Sequence, residues 1–229
     1  MEHLIWRTTF PDSNGAQYIK DFFTKGAIGM LPPEIKQKLK QHLATMHKPV
    51  TIVLSSGDHP SRSDLERVLQ EVVSTSDKMT FVTREDAKLR SPISFLLESE
   101  GVDTGIRFSG IPYGREFQSL VLAIVQSGGA PVKLDESIVK AVVGIQESLD
   151  FEVIIRLGCL YCPKNVQELN QFAFLNSRIT CEMIDGDLFP DLLKDRDIES
   201  FPSIYLNGKF FKEGIITAPE ILYKLGVIV

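Results

Sequence analysis

The chain has 229 residues, of which 43% are apolar and 24% charged, so it can form a packed core in one large domain or two small ones. Its net charge is −5, with both signs interspersed, which argues against nucleic acid as the main partner because phosphate binding needs a basic surface. No apolar run reaches the roughly 18 residues of a membrane-spanning helix, and residues 1–29 lack the apolar core of a secretory signal. We therefore expect a cytoplasmic protein that binds neither membrane nor nucleic acid.

The predicted elements of the first half begin after Pro33. Apolar spacing and turn residues indicate a helix, a buried strand, a second helix, three more strands and a closing helix. The helices are predicted at 34–46, around an apolar face at 65–72, and at 115–125. The strands are predicted at 50–54, 79–82, 93–97 and 106–108.

The second half repeats this order. Five apolar residues at helical spacing predict its first helix: Ile138, Val139, Val142, Ile145 and Leu149. Strands are predicted at 151–155, 179–184, 203–206 and 209–211, and the helix between the first two has Pro163 in its first turn. Asn207 and Gly208 predict a tight hairpin turn, and residues 217–220 form a capping box before the last helix.

The repeated order of helix, strand, helix, strand, hairpin and helix is that of thioredoxin, in which a central sheet carries helices on both faces. The sequence therefore predicts an α/β protein of two tandem thioredoxin-like folds. The Gly-Gly-Ala-Pro stretch at 128–131 is the natural boundary between them. We expect an N-terminal extension at 1–29, a first, degenerate lobe at 30–131, and a second, redox-active thioredoxin- or glutaredoxin-like lobe at 132–229.

A close pair of cysteines, Cys159-Leu160-Tyr161-Cys162, stands at a predicted helix start in the second lobe. Disulfide exchange needs an attacking thiolate and a second thiol that resolves the mixed disulfide. The free N–H groups of a helix N-terminus lower the pKa of a nearby thiol, so Cys159 is predicted to attack and the less exposed Cys162 to resolve. The first lobe has Ser-Gly-Asp-His-Pro at 56–60 in the corresponding place, so only the second lobe keeps an intact CxxC motif.

Three residues are predicted to contact the substrate: Tyr161, Phe201 and Pro202. If this segment follows thioredoxin practice, the Phe201–Pro202 bond is cis and faces the dithiol, where the preceding backbone can pair with an extended substrate segment. Tyr161 either shapes that contact or is a simple surface aromatic residue.

Two other kinds of site are disfavoured by the sequence. A zinc site needs four ligands, whereas the CxxC motif supplies two, and His42 and His47 fall in the other lobe. Cys181 lies in mid-strand, where we expect it to act as a small buried apolar residue and not as a ligand. With too few ligands in one place, no metal site is predicted. Ser56 and His59 lack an orienting acid and a G-x-S-x-G elbow, which argues against a hydrolase.

The sequence resembles the N-terminal domain of the F subunit of bacterial alkyl hydroperoxide reductase. The resemblance runs from about Met30 to the C-terminus. It is carried by several stretches: His-Lys-Pro-Val at 47–50, Ile-Arg-Phe-Ser-Gly at 106–110, Gly-Arg-Glu-Phe at 114–117, Ser-Leu-Val-Leu-Ala at 119–123, 159–163 with the two cysteines, Ile-Asp-Gly at 184–186 and Leu-Asn-Gly-Lys at 206–209.

This resemblance implies an electron relay from a flavoprotein disulfide reductase to a peroxiredoxin, with Cys159 attacking, Cys162 resolving and Glu116 lying near the dithiol. No G-x-G-x-x-G fingerprint follows a predicted strand, so FAD and NAD(P)H are expected on a partner reductase. In this chain we expect no cofactor beyond the redox-active disulfide. The chain is then either a free-standing relay domain, which we favour, or a part cut from a longer subunit. The pair Leu160-Tyr161 between the cysteines departs from the polar residues usual in the family.

Two alternatives remain open at this point. A general protein disulfide oxidoreductase, similar to tandem-thioredoxin enzymes with two active lobes, is disfavoured by the missing first CxxC motif. A non-enzymatic peptide-binding module is disfavoured because such a module does not need reactive sulfur.

Glu116 has two interpretations from the sequence alone. At the start of a helix its charge can simply complement the helix N-terminus. Alternatively, it lies between the lobes near Cys159 and manages protons during thiol exchange. The second interpretation gains weight because the strand before the dithiol offers Glu152 at its start and Arg156 at its end, with no acid at its centre.

Residues 1–29 show no periodicity that fits the repeat. We expect either a peripheral extension or a misassigned upstream start, whose deletion barely changes the melting temperature or the activity. Thermal unfolding and an exchange assay of the shortened chain test this, and a large drop in either would show that the extension packs on the core.

Overall fold

A computed structural model describes residues 31–85 and 87–227. The predicted N-terminal extension therefore lies outside the described residues. Within them, no helix is both long enough and apolar enough to cross a membrane.

The first lobe contains three helices and four strands in the predicted order. They are α1 (Pro33–Leu43), β1 (Val50–Ser55), α2 (Arg62–Val73), β2 (Met79–Arg84), β3 (Ser94–Ser99), β4 (Val102–Ser109) and α3 (Glu116–Ser127).

The second lobe repeats this order with an insertion before its hairpin. Its elements are α4 (Glu136–Val143), β5 (Leu149–Ile155), α5 (Cys162–Leu175), β6 (Ile179–Asp185), a short 3-10 helix (Gly186–Leu188), α6 (Pro190–Asp195), β7 (Ser203–Leu206), β8 (Lys209–Glu213) and α7 (Ala218–Lys224).

The strands of both lobes form one continuous eight-stranded sheet in the order β2-β1-β3-β4-β6-β5-β7-β8. Each lobe has the same core: β1 pairs parallel with β2 and antiparallel with β3, and β5 pairs parallel with β6 and antiparallel with β7. The lobes join where β4 pairs parallel with β6, with Ile106 opposite Cys181 and Ser109 opposite Ile184. The fold is therefore the expected pair of tandem thioredoxin-like units, fused edge to edge.

The main core lies on one face of this sheet. Inward residues of the strands, such as Ile52, Phe108 and Val153, pack there against buried residues of α1 to α5 and α7. A smaller cluster of Ile154 and Ile184 with Tyr205 lies on the opposite face and is packed by residues of and around α6. Helices therefore lie on both faces, as expected, but within the described residues the long helices share one face and the short α6 covers part of the other.

A charged network ties the lobes together on the face opposite the main core. Arg90, from the loop before β3, binds both oxygens of Glu182 on β6 (Nε 3.0 Å, Nη2 2.7 Å) and also pairs with Glu152 on β5. Arg196 Nη1 binds the other oxygen of Glu152 at 2.7 Å. Because these carboxylates are only partly exposed and doubly bound, we attribute to the network a role in fixing the junction of the lobes.

Three elements differ from the sequence expectations. The first helix of the second lobe ends at Val143, and Leu149 begins β5 instead, paired with Ile179. The helix stops early because the Asn176 side chain donates hydrogen bonds to the carbonyls of Val142 (2.8 Å) and Ile145 (2.9 Å). β4 is longer than the predicted 106–108 because it pairs with β3 along most of its length, and α6 had no predicted counterpart.

Candidate active site

Three loops emerge at one edge of the sheet. β4, β5 and β6 run parallel to one another, so their carboxyl ends lie together. The loop after β4 leads to Glu116, the loop after β5 carries Cys159 and leads into α5 at Cys162, and Asp185 ends β6 directly opposite Ile155. The topology thus brings to one edge residues that lie far apart in the sequence.

The cysteine pair forms a disulfide, with the two Cα atoms 5.6 Å apart. Cys162 is the first residue of α5 and is fully buried, with Pro163 next in the first turn, whereas Cys159 is partly exposed. The backbone N–H of Cys162 donates a hydrogen bond to Cys159 Sγ at 3.1 Å. The predicted difference in exposure is confirmed, and the helix N-terminus offers an N–H group to a thiolate on Cys159.

The segment around Phe201 faces the dithiol. The Phe201–Pro202 peptide bond is cis, as expected, and the Phe201 carbonyl oxygen lies 3.7 Å from Cys159 Sγ. The Arg156 guanidinium lies over the Phe201 ring, 4.7 Å from its centroid, and also pairs with Asp187 at 3.0 Å. This contact places a cation beside the dithiol loop and was not foreseen from the sequence.

The surface around the dithiol is apolar. Leu160 and Tyr161 are 61% and 57% exposed, although both are large hydrophobic residues. Phe201 is half-buried and Pro202 is buried. Exposed apolar side chains around a reactive sulfur are the arrangement expected of a surface that contacts another protein.

Glu116 begins α3, as predicted, but it is not a surface charge, since it is only 1% exposed. Its Oε2 accepts a hydrogen bond from Ser119 Oγ at 2.7 Å, and Ser119 Oγ also accepts one from Gln167 of α5 at 3.3 Å. Within the described chain, its Oε1 is buried without a hydrogen-bond partner. Burial raises the pKa of Glu116 to about 7, the Ser119 hydrogen bond opposes this, and the charge of Asp185 adds to it.

The surroundings of Glu116 belong to both lobes. A Cβ atom on Gly114, two residues earlier, would lie 3.9 Å from the carbonyl oxygen of Leu157, which precedes the dithiol. On the other side, α3 packs against α5, the helix that begins at Cys162. Glu116 also interacts electrostatically with the thiol of Cys181 on β6. The carboxyl group therefore lies where the dithiol loop, α5 and β6 meet the first lobe.

Asp185 is a site residue that sequence reasoning missed. It appeared only as part of an Ile-Asp-Gly stretch, with no role assigned. The available signal was its position, because an acidic residue directly after an apolar parallel strand lies at the sheet edge where ligands and reactive loops gather. Asp185 is 2% exposed, and burial raises its pKa to about 6.

Other residues singled out from the sequence do not join this site. His59 Nδ1 accepts the N–H of Ser61 at 3.1 Å within its own loop. Cys181 is fully buried in β6, as expected, and burial raises its pKa. Across the described ranges, no group of three His, Cys, Asp or Glu side chains is arranged to hold a metal ion.

A thioredoxin-domain family model matches residues 149–225, which contain the dithiol and the Phe201–Pro202 segment. Together with the Cys159–Cys162 disulfide at a helix start, this defines the chain as a thioredoxin-fold thiol–disulfide oxidoreductase. The fold alone is shared with a protein disulfide oxidoreductase of Aeropyrum pernix, with a TM-score of 0.72 at 23% identity over 86% of this chain and 91% of that one.

Closer relatives identify the family. The chain is 44% identical over 196 residues to the F subunit of alkyl hydroperoxide reductase of Pseudomonas aeruginosa, covering 86% of this chain and 37% of that protein. It is 32% identical to the N-terminal domain of the same reductase from Enterococcus faecalis, with a TM-score of 0.77 and coverage of 85% of this chain and 99% of that one. The chain belongs to the family of these N-terminal domains and spans about 37% of the length of the curated relatives that it matches.

Proposed function

We propose that this chain relays electrons from the dithiol of a flavoprotein reductase to the disulfide of a peroxiredoxin. The observation that carries the proposal is the dithiol itself, partly exposed at Cys159, buried at Cys162 and held at the N-terminus of α5. The relatives are named as the F subunit of alkyl hydroperoxide reductase, which supports a place in peroxide reduction. FAD and NAD(P)H would be held by the partner reductase.

Each exchange begins with the Cys159 thiolate, which attacks a sulfur of the partner disulfide. One partner thiolate leaves, and a mixed disulfide forms. Cys162 then loses its proton and attacks Cys159, which releases the second partner thiolate and closes the Cys159–Cys162 disulfide. Two electrons pass to the partner, and the reductase restores the dithiol by the reverse sequence.

Glu116 is the proposed acceptor of the Cys162 proton. A base works best when its pKa lies near the operating pH, and burial raises the pKa of Glu116 to about 7. Its free oxygen, Oε1, has no hydrogen-bond partner in the described chain to compete for the proton. This role would also explain why the first lobe is retained although its own loop has lost both cysteines.

The apolar residues around Cys159 are the proposed contact surface for both partners. Leu160 and Tyr161 would pack on the partner beside its reactive sulfur, and the backbone at Phe201 would pair with an extended segment of it. Arg156, which lies over Phe201, adds a positive charge to this surface.

A reconstituted assay tests this function. The full chain is mixed with a flavoprotein disulfide reductase that lacks such a domain, with a peroxiredoxin and with a hydroperoxide, and NADH oxidation is followed. Turnover should require the chain and should vanish with Cys159→Ser. Insulin reduction, measured beside it, should be slow. Rapid insulin reduction with no transfer to the peroxiredoxin would instead favour the general protein disulfide oxidoreductase.

The degenerate loop of the first lobe should not take part in electron transfer. Neither Ser56 nor His59 can exchange electrons, and His59 bonds within its own loop. Ser56→Ala and His59→Ala should therefore leave the exchange rate within about twofold of wild type. A loss beyond about tenfold, roughly 1.4 kcal/mol in the barrier, in a variant that unfolds normally would show that this loop acts in the reaction.

A further inference from the structure

Asp185 is a buried carboxyl group to which the proposed relay gives no role. Its side chain is 2% exposed, and Oδ1 accepts the N–H of Asp187 at 3.2 Å. Arg156 offers a nearby charge but forms its ion pair with Asp187. A carboxyl group removed from water without a matched ion pair destabilises the fold, so its position needs an explanation.

One residue of the first lobe, Gly110, approaches Asp185 closely. Gly110 directly follows β4, and a Cβ atom there would lie 2.7 Å from Asp185 Cβ and 3.7 Å from its carboxyl carbon. Gly110 also has φ +120°, a conformation that side chains other than glycine rarely adopt. The loop from Gly110 leads within one short connection to Glu116. One carboxyl group from each lobe therefore lies at the same buried junction.

The charge of Asp185 acts on the ionisation of Glu116. Burial raises the pKa of Asp185 to about 6. The hydrogen bond from the Asp187 N–H and the charge of Arg156 oppose this shift, and the charge of Asp187 adds to it. Burial raises that of Glu116 to about 7, with the charge of Asp185 adding to it. Asp185 thus loses its proton first, and its charge then holds the proton on Glu116. The Cys181 thiol on β6, which also interacts electrostatically with Glu116, stays protonated because burial raises its pKa.

We propose that Asp185 and Glu116 form a coupled pair of carboxyl groups, one from each lobe, in which Asp185 governs the proton that Glu116 exchanges with Cys162. Asp185 is a positioning residue, since it acts through Glu116 and does not touch the reacting sulfurs. The inference rests on the proposed function of Glu116 and extends it to the second lobe.

In the resolving step, the Cys162 thiol gives its proton to the Glu116 carboxylate and attacks Cys159, and the bound thiolate leaves with the electron pair of the broken S–S bond. The negative charge of Asp185 makes Glu116 a stronger base for that proton. Without Asp185, Glu116 would ionise at lower pH and would bind the proton more weakly.

The direct test is the titration of Glu116 in the full chain. Carbon-13 NMR of labelled Glu and Asp carboxyl groups gives the midpoint, and Glu116→Gln identifies the signal. Asp185→Asn should lower the Glu116 midpoint by about one pH unit or more. The matched control is Asp191→Asn, which changes an exposed acid in α6 and should leave the midpoint unchanged. An unchanged Glu116 midpoint in Asp185→Asn, or an equal shift in Asp191→Asn, overturns the proposal that Asp185 and Glu116 are coupled.

A second measurement needs no variant at Asp185. In the wild-type chain, a coupled pair should give two steps in both carboxyl signals, one for each proton. Single independent steps would overturn the proposal even if Asp185→Asn failed to fold.

The role in exchange is read from the reduced chain with dithiobis-nitrobenzoate, an aromatic disulfide that needs no partner protein. The second aromatic thiolate is released in the resolving step, so the rate of its release reports that step. In Asp185→Asn, the pH–rate profile of this release should move to lower pH by the shift seen in the Glu116 titration. A moved midpoint with an unmoved rate profile overturns the role of the pair in exchange. Because no peroxiredoxin is present, failure of the relay to that partner leaves this result intact.

Discussion

Cys162→Ser is expected to trap the chain in a covalent complex with its partner. The remaining thiol of Cys159 is partly exposed and accepts the N–H at the start of α5, so it can still attack a disulfide. No second thiol is then available within reach, since Cys181 is fully buried in β6. Multiple-turnover exchange should fall at least about a thousandfold, and a mixed disulfide should accumulate on a non-reducing gel.

Cys159→Ser is the matched control for this trap. It should also abolish turnover, but without a mixed disulfide, because the buried Cys162 cannot reach a partner first. Full multiple-turnover activity of Cys162→Ser, or a mixed disulfide formed equally by both variants, would contradict the assigned order of attack and resolution.

Glu116→Gln is expected to stabilise the fold above neutral pH. The pKa of Glu116 rises from an ordinary 4.5 to about 7 on folding, because burial disfavours the charge. A group with a raised folded pKa contributes stability that is complete below about pH 4.5 and is lost as the pH rises through about 7. The full difference is about 3 kcal/mol. The variant should therefore gain most of this amount relative to wild type at about pH 8 and little at about pH 4.5.

Urea unfolding of the oxidised chain at both pH values measures this difference. Glu213→Gln, which changes an exposed carboxylate on β8, is the control and should show no such pH dependence. An equal effect of Glu116→Gln at both pH values would show that the carboxyl group is not held protonated by burial.

Glu116→Gln should also slow the resolving step and flatten the pH–rate curve of that step between about pH 5 and 9, because glutamine cannot accept a proton. Gain of stability with loss of rate is the signature of a buried carboxyl group that acts in the reaction, whereas a structural residue would lose stability. An unchanged pH–rate curve would contradict the proton-accepting role.

Much of the active site could be predicted from local signals. Pro163 marks the start of α5, and Asn207 and Gly208 both have positive φ in the hairpin turn that they predict. The spacing of Cys159 and Cys162 fixes the dithiol because two intervening residues at a helix start bring the sulfurs together. These features depend on neighbours in the sequence, so the sequence reveals them directly.

The remaining features depend on contacts between distant segments. Leu149 fits the helical spacing of α4, yet pairing with β6 and capping of α4 by Asn176 place it in a strand. The pairing of β4 with β6, which fuses the lobes, carries no local signature. Neither does the approach of Gly110 to Asp185, and for this reason the second acid was not foreseen.

The central claim, electron transfer through the dithiol, is tested most directly by a single-turnover experiment. The fully reduced chain is mixed with an oxidised peroxiredoxin, and the thiols of each protein are counted over time by alkylation and mass spectrometry. We expect Cys159 and Cys162 to become a disulfide as the peroxiredoxin gains its two thiols, at a rate well above that of an equal concentration of dithiothreitol. Oxidation no faster than with dithiothreitol, or thiols that appear on the peroxiredoxin without loss of those two on the chain, would contradict it.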